Sequence, residues 1–169
     1  MRIEIVITRE DRNVHFTFSP SHQPLTVIKP GDQVVVETRD ASNGQIRPGD
    51  FEKVDRRQLL PVTGPVAVQG ATPGDCISIR IDKIRLAEKA YSWLRPGLGI
   101  RSVTLDKPFY VAEMKVGEKI LLPSGAALSL RPMIGIVGVS PAEEISTRYP
   151  GPHGGNLDSV DVAEGNVLW

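Results

Sequence analysis

The sequence predicts a mainly β fold, a sandwich or a barrel, on three observations. Short segments alternate apolar and polar residues at a period of two, as half-buried strands do. Sixteen glycines and fourteen prolines are dispersed along 169 residues rather than gathered in one tract, so they punctuate strands instead of marking disorder. And a Pro-Gly-Asp turn twice launches an alternating segment, at Pro30-Gly31-Asp32 and at Pro73-Gly74-Asp75. This spacing argues against a helical bundle or a βαβ sheet.

Arg2 to Thr8 reads as a first strand, with Ile3, Ile5 and Ile7 on one face. Asn13 to Phe18 reads as a second, with Val14, Phe16 and Phe18 inward, and Glu10-Asp11-Arg12 joins the two as a hairpin loop. Ser19 to Pro24 breaks the chain, and Leu25 to Ile28 resumes an extended path. In Lys29-Pro30-Gly31-Asp32 the proline presets φ at the first central position and the glycine supplies the second, launching a strand from Gln33 to Asp40. Thr72-Pro73-Gly74-Asp75 does the same for Cys76 to Ile84.

Ile46 to Leu60 is charged and weakly patterned, an excursion with room for one short helix, and Val66 to Gln69 is a further short strand. Residues 85–131 read as a candidate inserted subdomain. It combines a mobile loop at Leu94-Arg95-Pro96-Gly97-Leu98-Gly99 with strands at Phe109–Met114, Lys119–Leu122 and Ala127–Leu130. Met133 to Val139 is an apolar run with the character of a doubly buried strand, whose Gly135 and Gly138 allow another backbone or a ligand to pack close. Val167-Leu168-Trp169 is an apolar end predicted to be ordered and buried, within a sheet or against another chain.

Composition bounds the partners. Twenty basic and twenty acidic residues cancel, so no whole-chain field draws nucleic acid or an anionic membrane. The single Cys76 excludes an intramolecular disulfide framework and a thiolate zinc cluster. No apolar run approaches the roughly 20 residues that span a bilayer, and the opening MRIEIVITRE has a strand pattern rather than that of a signal peptide. The expectation is a soluble cytoplasmic protein without nucleic-acid or membrane partners.

The densest chemistry lies in Tyr149-Pro150-Gly151-Pro152-His153-Gly154-Gly155-Asn156-Leu157-Asp158. Its prolines and glycines exclude a helix and any long strand. An imidazole, an amide and a carboxylate sit there on a backbone free to curl around a ligand. The competing reading is a wide turn whose Asn and Asp cap their own backbone.

Three stretches together carry a resemblance. They are Phe18-Ser19-Pro20 with His22 and Pro24; Lys29-Pro30-Gly31-Asp32 through Glu37-Thr38-Arg39-Asp40-Ala41 to Gln45; and Pro132-Met133-Ile134-Gly135 through Gly151-Pro152-His153-Gly154-Gly155-Asn156-Leu157-Asp158. With Pro61 to Pro65 and Gly70 to Asp75 between them, the chain resembles the acetamidase/formamidase family of amide hydrolases from about Phe18 to its last residue. The resemblance implies a jelly-roll-like β-sandwich with a small α+β insertion, one domain over residues 1–169. It implies metal-assisted hydrolysis of short amides, formamide- or acetamide-like, to a carboxylate and ammonia. The family pattern continues past the position of Trp169 into a second half with a Gly-Asp-x-His segment and a Gly-Asp-Gly-Glu segment, neither of which occurs here.

On that resemblance, Asp40, His153 and Asp158 are the expected ligands of a divalent ion, zinc by preference, since a hydrolytic site needs fixed N or O donors and an open position. Glu143 or Glu144, directly after the apolar run, is the candidate general base, with a solvated surface pair as the bland alternative, and Asn156 is an amide that contacts substrate or orients a ligand. For Asp40 the bland alternative is a turn-capping carboxylate; for His22, a surface loop histidine. His15 reads as an exposed strand residue, and Cys76 as a small apolar one without a histidine partner. The expected protein is a subunit of a metal-dependent amidase, its site completed by a second chain that carries the other half. Two alternatives are a non-catalytic β-sandwich that binds a ligand or a strand, and a reduced-size amidase assembled by self-association.

Overall fold

The structure, a computed structural model, describes residues 5–49, 54–94, 97 and 110–169. Among them the amino-terminal half holds β1 (Ile5–Ile7), β2 (Val14–His15), β3 (Thr17–Phe18), β4 (Thr26–Ile28), β5 (Val34–Val36), β6 (Val62–Thr63), β7 (Val66–Val68) and β8 (Ile79–Arg80). The remainder holds β9 (Lys89–Leu94), β10 (Tyr110–Val116), β11 (Lys119–Leu121), β12 (Ala127–Ser129), β13 (Ile136–Gly138), β14 (Ile145–Ser146), β15 (Gly154–Asn156) and β16 (Val167–Leu168). The protein is mainly β, as its alternation predicts. Helix among the described residues amounts to two 3-10 turns, Asp11–Asn13 and Arg56–Gln58, and no helix there is long and apolar enough to cross a membrane.

The two Pro-Gly-Asp turns predicted to launch strands form, and by the same device. Asp32 N–H bonds the Lys29 carbonyl at 3.0 Å while the Asp32 carboxylate accepts from Lys29 N–H at 2.8 Å; Asp75 and Thr72 repeat this at 3.0 and 2.7 Å. Gly31 and Gly74 take φ of 86° and 101°, the left-handed values that glycine reaches without a Cβ penalty. The strands they launch are shorter than the alternation predicts, because each has one short partner: β5 pairs parallel with β1, and β8 pairs antiparallel with β16.

The first predicted hairpin does not form. β1 runs parallel to β5, and Glu10-Asp11-Arg12 enters a 3-10 turn instead of a reverse turn between paired strands. The second predicted strand is two strands. The chain bends at Phe16, so that β2 pairs with β6 while β3 pairs with β14. Of the three residues predicted inward, Val14 and Phe18 are buried, while Phe16 at the bend is half-buried like His15 and Thr17; periodicity does not report which strand lies alongside.

Within residues 85–131 the described strands make one antiparallel sheet in the order β12-β11-β10-β9, which shares no strand with the rest among the described residues. The described part of this insertion has strands and no helix, so the α component predicted for it is not found there. Most of the loop expected at residues 94–99 lies outside the described residues, as do the starts of the first strand and of the strand expected at Phe109. β13 is half-buried rather than doubly buried: it has one strand neighbour, β15, with Val137 opposite Gly155 and Gly138 opposite Gly154. At the end of the chain, Val167 and Leu168 join β8, while Trp169 stands 86% exposed on this chain.

The core is small and contains Ile7, Val14, Phe18, Ile46, Ile81 and Val162. Among its polar members, Asn13, Ser19, Ser42 and Thr147 are held by side-chain hydrogen bonds. Thr147 is fully covered and donates both its N–H and its hydroxyl to the Phe16 carbonyl, each at 3.1 Å, which locks β14 onto the bend at Phe16.

Candidate functional site

The loop that carries most of the candidate chemistry is a tight hairpin tip. Gly151 N–H bonds the Gly154 carbonyl at 2.8 Å and Gly154 N–H bonds the Gly151 carbonyl at 2.9 Å, so Pro152 and His153 occupy the two positions between them. Val139 N–H then bonds the His153 carbonyl at 2.9 Å, tying the tip to the end of β13.

Glycines are required here by space as well as by φ. A Cβ on Gly138 would lie 2.5 Å from the His153 carbonyl oxygen, and one on Gly154 2.5 Å from the Val137 carbonyl oxygen. Gly154 and Gly155 both have φ above 90°. The close approach expected of the second glycine in Met133–Val139 is thus a backbone-on-backbone contact beneath His153. At Gly135, the first of the pair, a Cβ would meet the Asp158 carboxylate at 2.8 Å.

His153 is buried, 8% exposed, with its ring edge-on to Phe18 at a centroid distance of 5.1 Å. Cβ atoms on Gly151 and Gly155 would each come within about 3.0 Å of ring nitrogens, so the two glycines form a cradle cut to the imidazole. Its Nε2 is buried without any hydrogen-bond partner among the described residues. A buried polar nitrogen left unpaired costs about 1–3 kcal/mol, and such an orphan calls for a ligand or for water. As a donor to a divalent ion this imidazole fits.

Among the described residues none of the other candidates hydrogen-bonds its open nitrogen. The Asp40 carboxylate closes its own loop, accepting from Ser42 N–H at 2.9 Å, from the Ser42 hydroxyl, and from Arg47 at 2.7 Å. Ser42 in turn accepts from Ile46 N–H at 3.1 Å, one of the core positions. Asp158 is exposed, in the left-handed region at φ 45°, with its N–H on the Gly135 carbonyl at 3.0 Å. Asn156 lies on β15 and donates its amide to the Arg148 carbonyl at 3.3 Å. Glu143 is exposed in the bend before β14. Among the described residues no three His, Cys, Asp or Glu side chains are grouped so as to hold a metal ion. The described part of this chain therefore presents one orphaned donor, His153, rather than an assembled ligand set.

His22 and His15 form a separate feature. Their rings stack at 3.9 Å, and His22 Nε2 bonds the Thr17 hydroxyl at 3.0 Å, so His22 is not a free surface residue. His15 is half-buried rather than exposed; burial and the neighbouring His22 hold its pKa below the usual histidine value, against the Gly64 backbone, which raises it.

Sequence reasoning passed over Arg47. Its guanidinium binds Asp40 on one side and lies 4.1 Å from the Tyr91 ring centroid on the other, joining the Asp40 loop to the inserted sheet. Nothing local in the sequence pairs positions 47 and 91. Burial raises the Asp40 pKa, but hydrogen bonds from Arg47 and Ser42 outweigh it, and the carboxyl titrates below its ordinary value. A depressed folded-state pKa contributes stability above the unfolded value of about 4, lost as pH falls through the lower folded value. Arg47→Ala is expected to lower stability at neutral pH by about 1 kcal/mol, the sum of a partly exposed ion pair and a cation–π contact. The gap between mutant and parent urea midpoints should narrow from pH 6 to pH 3; a gap unchanged with pH would remove Asp40 from the account.

Comparison with known proteins places this geometry. Residues 3–164 match the model of the acetamidase/formamidase family. A formamidase of Methylophilus methylotrophus is 34% identical over 76 residues, covering 43% of this chain and 19% of that protein. The crystal structure of an acetamidase from Bacillus halodurans superposes with a TM-score of 0.86 at 32% identity, over 95% of this chain and 55% of that one. A predicted acetamidase/formamidase from Thermoanaerobacter tengcongensis gives 0.88 at 32% identity, over 98% of this chain and again 55% of the other. The chain spans about half the length of the structures it matches, and with the family model covering nearly all of it, it belongs to the acetamidase/formamidase family.

Proposed function

We propose that this chain supplies part of the active site of an amidase that hydrolyses short linear amides, formamide- or acetamide-like, to a carboxylate and ammonia. The observation that carries the reading is His153: a buried imidazole nitrogen without a partner among the described residues, in a glycine cradle, within a family match over residues 3–164. His153 would hold a divalent ion, zinc by preference, through Nε2. When bound, such an ion supplies Lewis acidity toward the amide carbonyl.

The chain's own residues do the positioning. Gly151 and Gly155 fix the imidazole plane, and Phe18 excludes water from one side of the ring. Asn156, anchored on Arg148, would orient the amide, while Asp158 and Glu143, exposed on this chain, would serve a ligand or take a proton. Asp40, engaged by Ser42 and Arg47, joins the site only by giving up those bonds. The remaining donors come from the other half of the family fold, which we assign to a second subunit.

The test is ammonia release from formamide and acetamide, measured for this chain alone and with a partner carrying the other half, alongside elemental analysis for divalent metal. Activity and metal that appear only with the partner support the reading. Activity of the chain alone as an oligomer would replace the partner by self-association, and no activity with either amide in the assembled pair would overturn it.

A further inference from the structure

Beside the bend at Phe16 lies an open cleft of about 440 Å³, between the 3-10 turn at Arg56–Gln58 and the β3–β14 pair. Phe16 and Leu59 give it an apolar floor, and Thr17 and Ser146 line it as well. Three arginines, Arg56, Arg57 and Arg148, complete the lining. Its size falls within the range of small-molecule sites, roughly 300–1,000 Å³. We propose that this cleft is a binding site for a small organic oxyanion, a carboxylate or a phosphate ester, distinct from the His153 site.

Charge favours an anion. Among the described residues the one ion pair at these arginines joins Arg57 to Asp55, with Nη2 to Oδ2 at 3.1 Å. That leaves the lining net positive. A neighbouring cleft of about 460 Å³ shares Phe16 and Arg57 but is balanced, with Arg39 on Asp11 at 2.6 Å and Arg57 on Asp55. The two clefts share Phe16 and Arg57 and differ in charge: among the described residues the first is lined by three arginines and no carboxylate, the second by two of each.

Arg148 is also the best-anchored arginine of the three. Thr147, fully covered, is bonded twice to Phe16; the Arg148 N–H meets the Ser146 hydroxyl at 3.4 Å; its carbonyl accepts from Asn156 at 3.3 Å. Its guanidinium donates to the Arg56 carbonyl and so braces the far wall. A guanidinium has five donors in a rigid fork, so one carbonyl leaves others for an oxyanion.

The experiment titrates the protein with benzoate, phenyl phosphate and inorganic phosphate, against sodium chloride at matched ionic strength, reading melting temperature and heat of binding. A saturable response to an oxyanion but not to chloride is expected, and benzoate against the phosphates tells carboxylate from phosphate recognition. Arg56→Gln, which keeps the backbone carbonyl used by Arg148, should weaken binding about tenfold, the loss of one charge-assisted hydrogen bond. Arg148→Lys, which keeps charge without the fork, should weaken it as well and serves if the first variant is unstable. A response no greater than that of chloride, or affinity unchanged in both variants, would overturn the proposal. Amide hydrolysis is not a readout here, so failure of the amidase reading leaves this one standing.

Discussion

Gly155→Ala is expected to be the most damaging single-atom addition in the site loop. The new Cβ would fall on the Tyr149 carbonyl oxygen, 3.0 Å from His153 Nε2 and 3.3 Å from Pro150 Cα, on a residue whose φ is 94°. Two of these three neighbours are backbone, so no rotamer change relieves the overlap. Positive-φ strain contributes about 1–3 kcal/mol, and overpacking a further 1–3 kcal/mol or so. Gly31→Ala is the matching control, since Gly31 has φ 86° with nothing within 4 Å of where the added methyl would sit. It should show the conformational part alone, about 1 kcal/mol. Urea midpoints compare the two. Equal destabilisation would mean that the cradle around His153 is looser than these distances require.

His153→Ala should have the opposite profile, with a large effect on metal content and a small one on stability. Removing the imidazole forfeits its edge-on contact with Phe18, worth about 0.5–1.5 kcal/mol. It also removes a buried nitrogen whose lack of a partner costs about 1–3 kcal/mol. These oppose each other, so the melting temperature of the isolated chain should move by no more than a few degrees. In the proposed complex with the other half of the family fold, bound divalent metal should fall at least about tenfold, since a ligand matters no less than the groups that orient one. His22→Ala is the control, because its Nε2 is already committed to Thr17. Full metal retention in His153→Ala, or equal loss in His22→Ala, would remove His153 from the metal site.

The contrast between these variants bears on how far the loop is legible along the chain. The spacing of glycine around His153 announces a backbone that must be approached closely, and Gly138 in the strand before it announces the partner of that approach. Both follow from the absence of Cβ, a property of the residue itself. The Pro-Gly-Asp turns are legible for the same reason: proline presets one φ, glycine permits the other, and the aspartate reaches back three residues to close the turn. Such features need no knowledge of distant neighbours.

Pairing needed the tertiary structure. Nothing in Ile5–Ile7 says that it lies parallel to Val34–Val36 and not antiparallel to Val14–His15. Short strands hold few specifying contacts, and register depends on what the other face meets. The fate of Asp40 was decided in the same way. Its local chemistry suits a metal ligand and a loop cap equally, and its ion pair with Arg47, which also lies over Tyr91 of the inserted sheet, is visible only in three dimensions. The arginine cleft is the extreme case, since positions 56, 57 and 148 meet only because Thr147 locks β14 onto the bend at Phe16. Local backbone chemistry is carried by each residue and can be read along the chain, whereas charge and ligand geometry depend on side chains that only long-range packing brings together.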